Sequence, residues 1–292
     1  MQFKELKIRE VCEDDCFSIF EWRNDKHSQK MSFNSDYINY EEHFKWFTSS
    51  LKNKKKKHYI GIINDQKIGY CSFEIDENIL KSKVSINLNP TYRGKGFGKK
   101  FLEKSMDEYL ALNEFDLIAY LKLENLVSKK VFESVGFEFK SLNEEILILQ
   151  KKITKLNFRK IINSDIESLF ELLKKRKFHI SHNSLPSFKE HKYFVENHPY
   201  RYWYIIYEST KVIGSFYLQY DNSIGLDISV PSKRIVTRTI KYIKKYFKPI
   251  KEVKSKIPPY FYLNIPYYDE DMLEIIINLV NCKPIQTSFM IK

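Results

Sequence analysis

Hydrophobic and polar residues alternate along several short stretches of the first half of the chain, and along others the hydrophobic residues recur every three or four positions. The alternating stretches predict strands at about 3–9, 58–63, 67–75, 83–88, 116–120 and 145–151. The helical spacing predicts helices at about 14–22, 40–51, 98–110 and 126–135, the last ended by Gly136. This order of elements predicts a mixed α/β domain.

The second half of the chain repeats much of this order. Three local matches support the repeat: His43 with His191, Gly69 with Gly214, and Pro90 with Pro231. The spacing between matched residues shrinks along the chain, as small deletions in one of two diverged copies would cause. We therefore expect two tandem domains, 1–153 and 154–292. The alternative is a single domain in which similar hydrophobic patterns recur by coincidence.

Composition places the chain among globular proteins. Of its 292 residues 43% are hydrophobic, no apolar run is as long as a membrane span, and the first residues lack the apolar core of a signal peptide. We therefore expect a cytoplasmic protein with no membrane partner. The four cysteines are too few and too scattered for a disulfide framework or a zinc site, so we expect reduced thiols and no metal.

The net charge of +12 raises the question of nucleic-acid binding. The lysines are spread along the chain, and the densest run, at 54–57, lies between a predicted helix and a predicted strand, where solvated loops occur. We therefore do not expect a nucleic-acid partner. A basic surface also suits small polyanions such as coenzyme A or a nucleotide-sugar.

A glycine-rich segment, Arg93-Gly94-Lys95-Gly96-Phe97-Gly98, joins a predicted strand to a predicted helix. Glycines allow several backbone N–H groups to face one point, and the start of the helix adds positive charge, so the segment could cradle a pyrophosphate. It lacks the Gly-Lys-Ser/Thr ending of a Walker loop. It also differs from the G-x-G-x-x-G dinucleotide fingerprint in spacing and in its place after several strands.

The segment resembles the pyrophosphate loop of the GNAT acetyltransferases, Arg/Gln-x-x-Gly-x-Gly/Ala. Downstream, the stretch from Asn125 to Gly136-Phe137 resembles the second signature of that family. The resemblance covers about residues 3–152. It implies an N-acetyltransferase with acetyl-CoA as donor and a mixed, mostly antiparallel central sheet flanked by helices (α/β, α+β). It implies these cofactor-binding residues: Leu88, Arg93, Gly94, Lys95, Gly96, Phe97, Gly98, Lys99, Asn125 and Lys129.

The segment before the first sheet strands narrows the resemblance. Phe20-Glu21-Trp22-Arg23-Asn24, then Met31, then residues 38–44 resemble the N-acetyltransferases of pseudaminic acid synthesis, which acetylate the 4-amino group of a UDP-linked 4-amino-4,6-dideoxy sugar. This resemblance implies that Arg23, Met31, His43 and Glu74 border a nucleotide-sugar pocket. The same Trp-Arg-Asn opening occurs in ribosomal-protein and aminoacyl-nucleotide acetyltransferases. A non-catalytic acyl-CoA-binding module is a third alternative.

The GNAT resemblance implies direct attack of an amine on the acetyl thioester, for which the amine must lose a proton. Glu74 is the first candidate for the base and His43 the second, although either could be an ordinary surface or helix residue. The N–H of Leu88 would stabilise the oxyanion. The position of the family's tyrosine acid is Phe132, which has no proton to give, so water or Tyr120 would meet the thiolate.

Two further polar residues have alternative roles. Arg23 could pair with a phosphate of the acceptor, or form a salt bridge with Asp25 or Glu21. Asn125 could hydrogen-bond the pantetheine arm, which the resemblance favours, or cap the helix that follows it.

The second copy lacks the glycine loop. The spacing of the repeat places residues 234–239, which contain no glycine, where the first half has residues 93–98. We therefore expect a degenerate domain without a second pyrophosphate cradle. Polar and aromatic residues in this half could line a sugar or nucleotide pocket: residues 179–183, His191, residues 198–201 and Trp203. The domain would pack on the first one or bind part of the acceptor.

Overall fold

A computed structural model of the chain describes residues 6–143, 145–176, 185–266, 269–277, 279 and 282–285. The chain divides into two compact units, Met1–Ile153 and Thr154–Lys292. Of the helices in the described ranges, none combines the length and the apolarity that a bilayer span requires.

The first unit contains seven strands and five α-helices in its described residues. The strands are β1 (Lys7–Glu10), β2 (Lys56–Ile63), β3 (Gln66–Asp76), β4 (Lys81–Leu88), β5 (Asp116–Lys122), β6 (Glu138–Asn143) and β7 (Ile146–Lys151). The helices are α1 (Cys16–Asn24), α2 (Lys26–Met31), α3 (Tyr40–Lys52), α4 (Phe97–Leu112) and α5 (Leu126–Ser134). Short 3-10 turns at Glu13–Asp15 and Pro90–Tyr92 precede α1 and the glycine loop.

Two of these elements do not follow from the hydrophobic pattern. The six residues of α2 are almost all polar, and the helix begins where Asp25 accepts a hydrogen bond from the Ser28 amide. The strand β6 lies at the sheet edge and is mostly exposed, so it lacks the alternation of a half-buried strand. Both depend on tertiary contacts that a local pattern does not show.

The seven strands form one sheet in the order β1-β2-β3-β4-β5-β7-β6. Every neighbouring pair is antiparallel except β4 and β5, which are parallel. The main core, which includes Phe73, Phe101 and Phe132, lies between the sheet and α4 and α5. A smaller core, which includes Ile19, Phe47 and Tyr70, lies between the opposite face and α1 and α3. Helices therefore cover both faces of the sheet.

The described residues of the second unit contain five strands and four helices. The strands are β8 (Leu156–Lys160), β9 (Tyr202–Glu208), β10 (Lys211–Leu218), β11 (Ser223–Ile228) and β12 (Tyr262–Leu263). The helices are α6 (Ile166–Lys175), α7 (Phe188–Glu196), α8 (Lys233–Tyr246) and α9 (Glu270–Ile277). The strands lie side by side in chain order, and only β11 and β12 are parallel.

This topology is that of β1 to β5 in the first unit, where the fourth and fifth strands are also the parallel pair. Helices separate the first strand from the second in both units, α1, α2 and α3 in the first and α6 and α7 in the described residues of the second, and a long helix follows the fourth strand. The prediction of a mixed, mostly antiparallel sheet flanked by helices in two tandem copies is confirmed.

Candidate active site

A gap opens in the first sheet between its two parallel strands. Strand β4 pairs with β5 only where Lys81–Lys83 faces residues 116–118. Beyond that point β4 continues along β3 and β5 continues along β7, so the two strands diverge. The amide of Asn89 donates to the Ile68 carbonyl of β3. Because successive residues of a strand alternate, the N–H of Leu88 faces the gap.

The glycine loop lies directly after β4. Gly94 and Gly96 have φ values of 71° and 81°, which glycine adopts without strain. A Cβ atom at either position would meet no atom within 4 Å, so the backbone conformation requires glycine and crowding does not. The helix α4 then begins at Phe97 without a side-chain cap, whereas Asn39 caps α3. The N-terminus of α4 thus lacks a side-chain cap and is a place where an anion could bind.

Gly98 differs from the other two glycines. It lies inside α4, and an added Cβ would come within 3.2 Å of Val131 on α5. This glycine therefore allows the two helices to pack closely. That Gly98 also binds the cofactor stays a prediction.

Arg93 also has a role that the sequence does not indicate. Its Nε donates to the Leu88 carbonyl at 3.2 Å, its Nη2 donates to Ser28 Oγ at 2.8 Å, and its Nη1 donates to Asp25. The guanidinium therefore joins the end of β4 to the start of α2. This set of contacts makes Arg93 a positioning residue for the loop and not a free cation beside it.

Three lysines remain near the loop. The ammonium of Lys95 lies 5.6 Å from the centre of the Tyr92 ring. Lys99 and Lys129 each have a glutamate four residues further along the helix, at 3.9 and 3.8 Å, and all four of these side chains are about half-exposed. Such exposed pairs are weak, so Lys99 and Lys129 could exchange their partner for a phosphate.

A hydrogen bond within the chain shows that Asn125 has the second of the two roles considered for it, the cap of the following helix. Its side-chain oxygen accepts from the Ser128 amide at 3.1 Å, which caps α5. The cap accounts for the oxygen without a cofactor, because Asn is among the residues preferred at this position.

Ionisable side chains line the face of the sheet that α1 and α3 cover. Tyr70 packs in the smaller core, and Glu74 lies four residues after it on the same strand. Because residues an even number apart in a strand share a face, Glu74 lies on this face too. Lys56 Nζ lies 3.1 Å from Glu74, and Lys83 Nζ lies 2.8 Å from Asp76. The hydrogen bond to Asp76 raises the pKa of Lys83 above its ordinary value, so this lysine stays charged.

The short helix α2 connects the two strands that border the gap. Ser28 Oγ lies 3.1 Å from Asn87 Oδ1 on β4, and Lys122 Nζ on β5 donates to the Lys30 carbonyl at 2.8 Å. The helix therefore bridges the two strands beyond their point of divergence, on the α1 and α3 side. Met31 is its last residue, which places Met31 beside the gap.

Arg23 lies at the end of α1 and is not in a salt bridge with Asp25, which pairs with Arg93. Its Nη2 donates to the Asn34 carbonyl. Its Nη1 is buried and has no hydrogen-bond partner among the described residues. Burial lowers the pKa of this guanidinium. A buried, unpaired donor of this kind is available to an anionic group.

His43 lies between α1 and α3, with 2% of its surface exposed. Its ring is 5.5 Å from Phe20, and burial lowers its pKa. His191 occupies the same position in the second unit, where it is 5% exposed, its ring is 5.1 Å from Phe170 and its Nε2 lies 3.3 Å from a helix carbonyl. The presence of this histidine in both copies indicates a role in helix packing.

Phe132 and Tyr120 lie on opposite sides of the sheet. Phe132 is 1% exposed and packs against Phe137 in the main core, at 4.9 Å between ring centres. Tyr120 lies on β5 past the point of divergence, on the same face as Lys122. Lys83 on β4 pairs with Ile118, two residues before Tyr120, which places Lys83 and Tyr120 on the same face of the sheet.

The second unit has a shorter connection where the first has its glycine loop. Residues 89–96 join β4 to α4, whereas only residues 229–232 join β11 to α8. Residues 234–239, expected to replace the loop, lie within α8. Ser232 Oγ accepts from the Ile235 amide at 3.3 Å and caps the helix. The loop is therefore deleted and the helix start is capped.

The expected pocket residues of the second unit are only partly described. Residues 179–183 lie outside the described residues. His198 and Tyr200 pack their rings against Trp203, at 5.4 and 5.2 Å, and Trp203 is buried. Trp203 therefore belongs to a core beneath the sheet, and Tyr200 packs against that core.

Together, a split parallel pair, a glycine loop and an uncapped helix start form a site that suits a donor with a diphosphate, such as an acyl-CoA. Residues 5–138 match the acetyltransferase (GNAT) domain family. The first unit thus carries a match to the acetyltransferase (GNAT) domain over most of its length, and the protein is an acyltransferase whose acyl donor is acetyl-CoA. None of the curated proteins matches the sequence.

Solved structures similar to the chain include a domain from Methanocaldococcus jannaschii, with 20% identity and a TM-score of 0.45 over 50% of this chain and 97% of that one. A spermidine N-acetyltransferase from Vibrio cholerae, in complex with CoA and spermine, has 15% identity and a TM-score of 0.45 over 50% and 92%. An aminoglycoside acetyltransferase in complex with coenzyme A has 17% identity and a TM-score of 0.45 over 51% and 95%.

Proposed function

We propose that the first unit transfers the acetyl group of acetyl-CoA to an amino group of a small anionic acceptor, most specifically the 4-amino group of a UDP-linked amino-dideoxy sugar. The observation that carries the proposal is the glycine loop at the mouth of the gap between β4 and β5. The diphosphate of the donor would bind at the glycine loop and the uncapped start of α4, and its thioester would lie in the gap.

The acceptor would approach from the side covered by α1, α2 and α3, where the ionisable residues lie. On this side Glu74 and Asp76 are each neutralised by a lysine. Among the described residues the hydrogen bonds of Arg23 and Lys122 go only to carbonyls, although Asp36 also attracts Arg23 electrostatically. The remaining charge is positive, which attracts a phosphate-bearing acceptor and repels a polyamine.

In this mechanism the amine loses a proton to Glu74 through a water molecule and attacks the thioester carbon. The N–H of Leu88 would stabilise the oxyanion, because it faces the gap. The C–S bond then breaks, and the thiolate takes a proton from Tyr120 or from water. We assign the base to Glu74 and not to His43, since the histidine is buried between helices.

The test is acetyl transfer measured by mass on three amines: a UDP-linked 4-amino-4,6-dideoxy sugar, spermine and a peptide with a free N-terminus. We expect one acetyl group on the UDP-sugar and much slower reaction of the other two. Preferred acetylation of the peptide would instead support a ribosomal-protein or aminoacyl acetyltransferase. Binding of acetyl-CoA without transfer to any amine would indicate a non-catalytic module.

We also propose that residues 1–153 form the catalytic domain and that residues 154–292 are its degenerate copy, without a donor site. The support is the deleted loop and the Ser232 cap at the start of α8. Calorimetry should therefore give one acetyl-CoA per chain. A second site of similar affinity would contradict this assignment.

A further inference from the structure

The second unit carries a strongly basic segment that its degenerate site does not explain. Residues 233–256 contain ten lysines and arginines and a single carboxylate, Glu252. The segment consists of α8 and the loop that follows it. On α8 the apolar side is occupied, because Val236 and Ile243 are fully buried in the core of the unit. The cationic side of the helix therefore faces outward and is held rigidly.

The outward lysines form a line along the helix. Lys241, Lys244 and Lys245 are exposed at helical spacing on α8, and Lys248, also exposed, follows just after the end of the helix. Residues three or four apart have Cβ atoms about 5–6 Å apart, and like charges at this spacing destabilise a helix. Within the described ranges, none of the four forms an ion pair. An anionic partner would remove this repulsion.

The following loop extends the basic surface. Buried Asn222 fixes it at both ends: its Oδ1 accepts from the Ile250 amide at 2.6 Å, and its Nδ2 donates to the Pro258 carbonyl at 2.8 Å. Between these points three exposed lysines occur, Lys251, Lys254 and Lys256. Val253 in the same loop is also exposed. The loop thus offers charge together with a small apolar contact.

We propose that this surface, defined as the seven lysines 241, 244, 245, 248, 251, 254 and 256, binds an anionic lipid surface. Clusters of four to eight basic residues on an amphipathic helix are typical of contacts with anionic headgroups. Arginine is the residue that binds a nucleic-acid phosphate or a guanine through two parallel hydrogen bonds. Both arginines of the segment already have partners: Arg234 pairs with Glu208 at 2.7 Å, and Arg238 has a partner of its own. The seven residues of the proposed surface are all lysines, which suit a membrane surface whose negative charge is spread over many headgroups.

The binding would be peripheral. The apolar side of α8 is buried in its own core, so the helix cannot insert into a bilayer without unfolding that core. The interaction would depend on charge and would weaken as salt screens it.

The experiment is co-sedimentation of the full-length protein with vesicles of phosphatidylcholine alone or with 30% phosphatidylglycerol, at low and high salt. We expect binding only to the anionic vesicles at low salt. Each lysine near such a surface contributes about fivefold in affinity, so the triple variant Lys241→Gln, Lys244→Gln, Lys245→Gln should bind on the order of a hundredfold more weakly. Retained acetyl-CoA binding and an unchanged circular dichroism spectrum would show that the variant is folded.

A matched variant tests whether vesicle binding depends on this surface or only on the net charge of the protein. Lys7→Gln, Lys52→Gln, Lys54→Gln removes three exposed lysines of the first unit and should bind vesicles as the unmodified protein does. An equal loss in both variants, or no binding of the unmodified protein to anionic vesicles, would overturn the proposal. Tighter binding to a duplex or single-stranded oligonucleotide than to the vesicles would also overturn it, in favour of nucleic acid.

Discussion

Asp15 accepts hydrogen bonds from both terminal nitrogens of Arg9, at 2.6 and 2.8 Å. The second unit repeats the arrangement, with Asp165 accepting from Arg159 at 3.0 and 2.6 Å. In each case the carboxylate also accepts from the backbone amide three residues before it. The corner between the first strand and the first helix is therefore built in the same way in both units, as two copies of one domain require.

This corner makes the stability of the first unit sensitive to acid. Burial opposes the charge of Asp15, but hydrogen bonds from Arg9, Lys67 and the Cys12 amide outweigh it and hold the pKa of Asp15 well below its ordinary value. A carboxylate with a lowered pKa stabilises the fold above its unfolded pKa, which is about 4, and this contribution is lost as the pH falls below that value. We expect the midpoint of urea unfolding of this unit to fall from about pH 4 downward.

The variant Asp15→Asn should remove this pH dependence and cost about 2–3 kcal/mol of unfolding free energy at pH 7, because it leaves Arg9 without its partner. The matched variant Asp165→Asn should destabilise the second unit and leave acetyl-CoA binding unchanged. Equal acid sensitivity of the unmodified protein and of Asp15→Asn would contradict this prediction.

Substitutions of Gly96 and Gly98 should have different effects. Gly96→Ala places a side chain at φ 81°, which costs about 1–2 kcal/mol and should weaken acetyl-CoA binding roughly tenfold in calorimetry. Gly98→Ala instead brings a Cβ to within 3.2 Å of Val131, so it should lower the melting temperature through the contact between α4 and α5. The opposite pattern, in which binding depends on Gly98 alone, would argue against the loop as the diphosphate site.

Glu74→Gln tests the proposed base. Removal of a general base typically costs on the order of a hundredfold or more in rate, so kcat should fall while the affinity for acetyl-CoA stays the same. Glu77→Gln is a matched control, since Glu77 is likewise exposed and ion-paired, with Lys55 at 2.6 Å. If both variants retain full turnover, the proton is removed by another group or by solvent.

Arg93→Ala should act on the acceptor more than on the donor. The change removes the contacts to Asp25, Ser28 and the Leu88 carbonyl, so α2 loses its attachment to β4. We expect a rise in the KM for the acceptor that exceeds any change in acetyl-CoA affinity, and a loss of about 2–3 kcal/mol of stability. Arg93→Lys should not restore the KM, because the lysine ammonium lacks the planar set of N–H donors that reaches all three partners.

Tyr120→Phe and Phe132→Tyr form a reciprocal pair. Loss of the Tyr120 hydroxyl should lower kcat about tenfold or more if it protonates the thiolate. Phe132→Tyr adds a hydroxyl to a residue that is 1% exposed, so it should cost about 1–3 kcal/mol of stability without lowering turnover. A gain in turnover by Phe132→Tyr would mean that this side chain does reach the thioester.

Much of the molecule follows from the residues alone. The strands and helices of the first unit other than β6 and α2, and the glycine loop, were predicted from alternation, helical spacing and the position of glycines. These features are local, since side-chain periodicity and positive φ values are set by a residue and its neighbours in sequence. The basic segment at 233–256 was missed because its basic residues are interspersed with other residues and form no run longer than two.

Only the tertiary structure decided which polar side chains meet. Glu74 and Lys56 are adjacent because of strand register, Arg93 is held by Asp25 from a distant helix, and His43 is enclosed by two helices. Each of these contacts joins residues whose approach depends on the packing of the whole unit. Sequence motifs therefore determined the loop and the class of reaction, whereas the roles of the ionisable residues around the gap depended on long-range packing that no local pattern encodes.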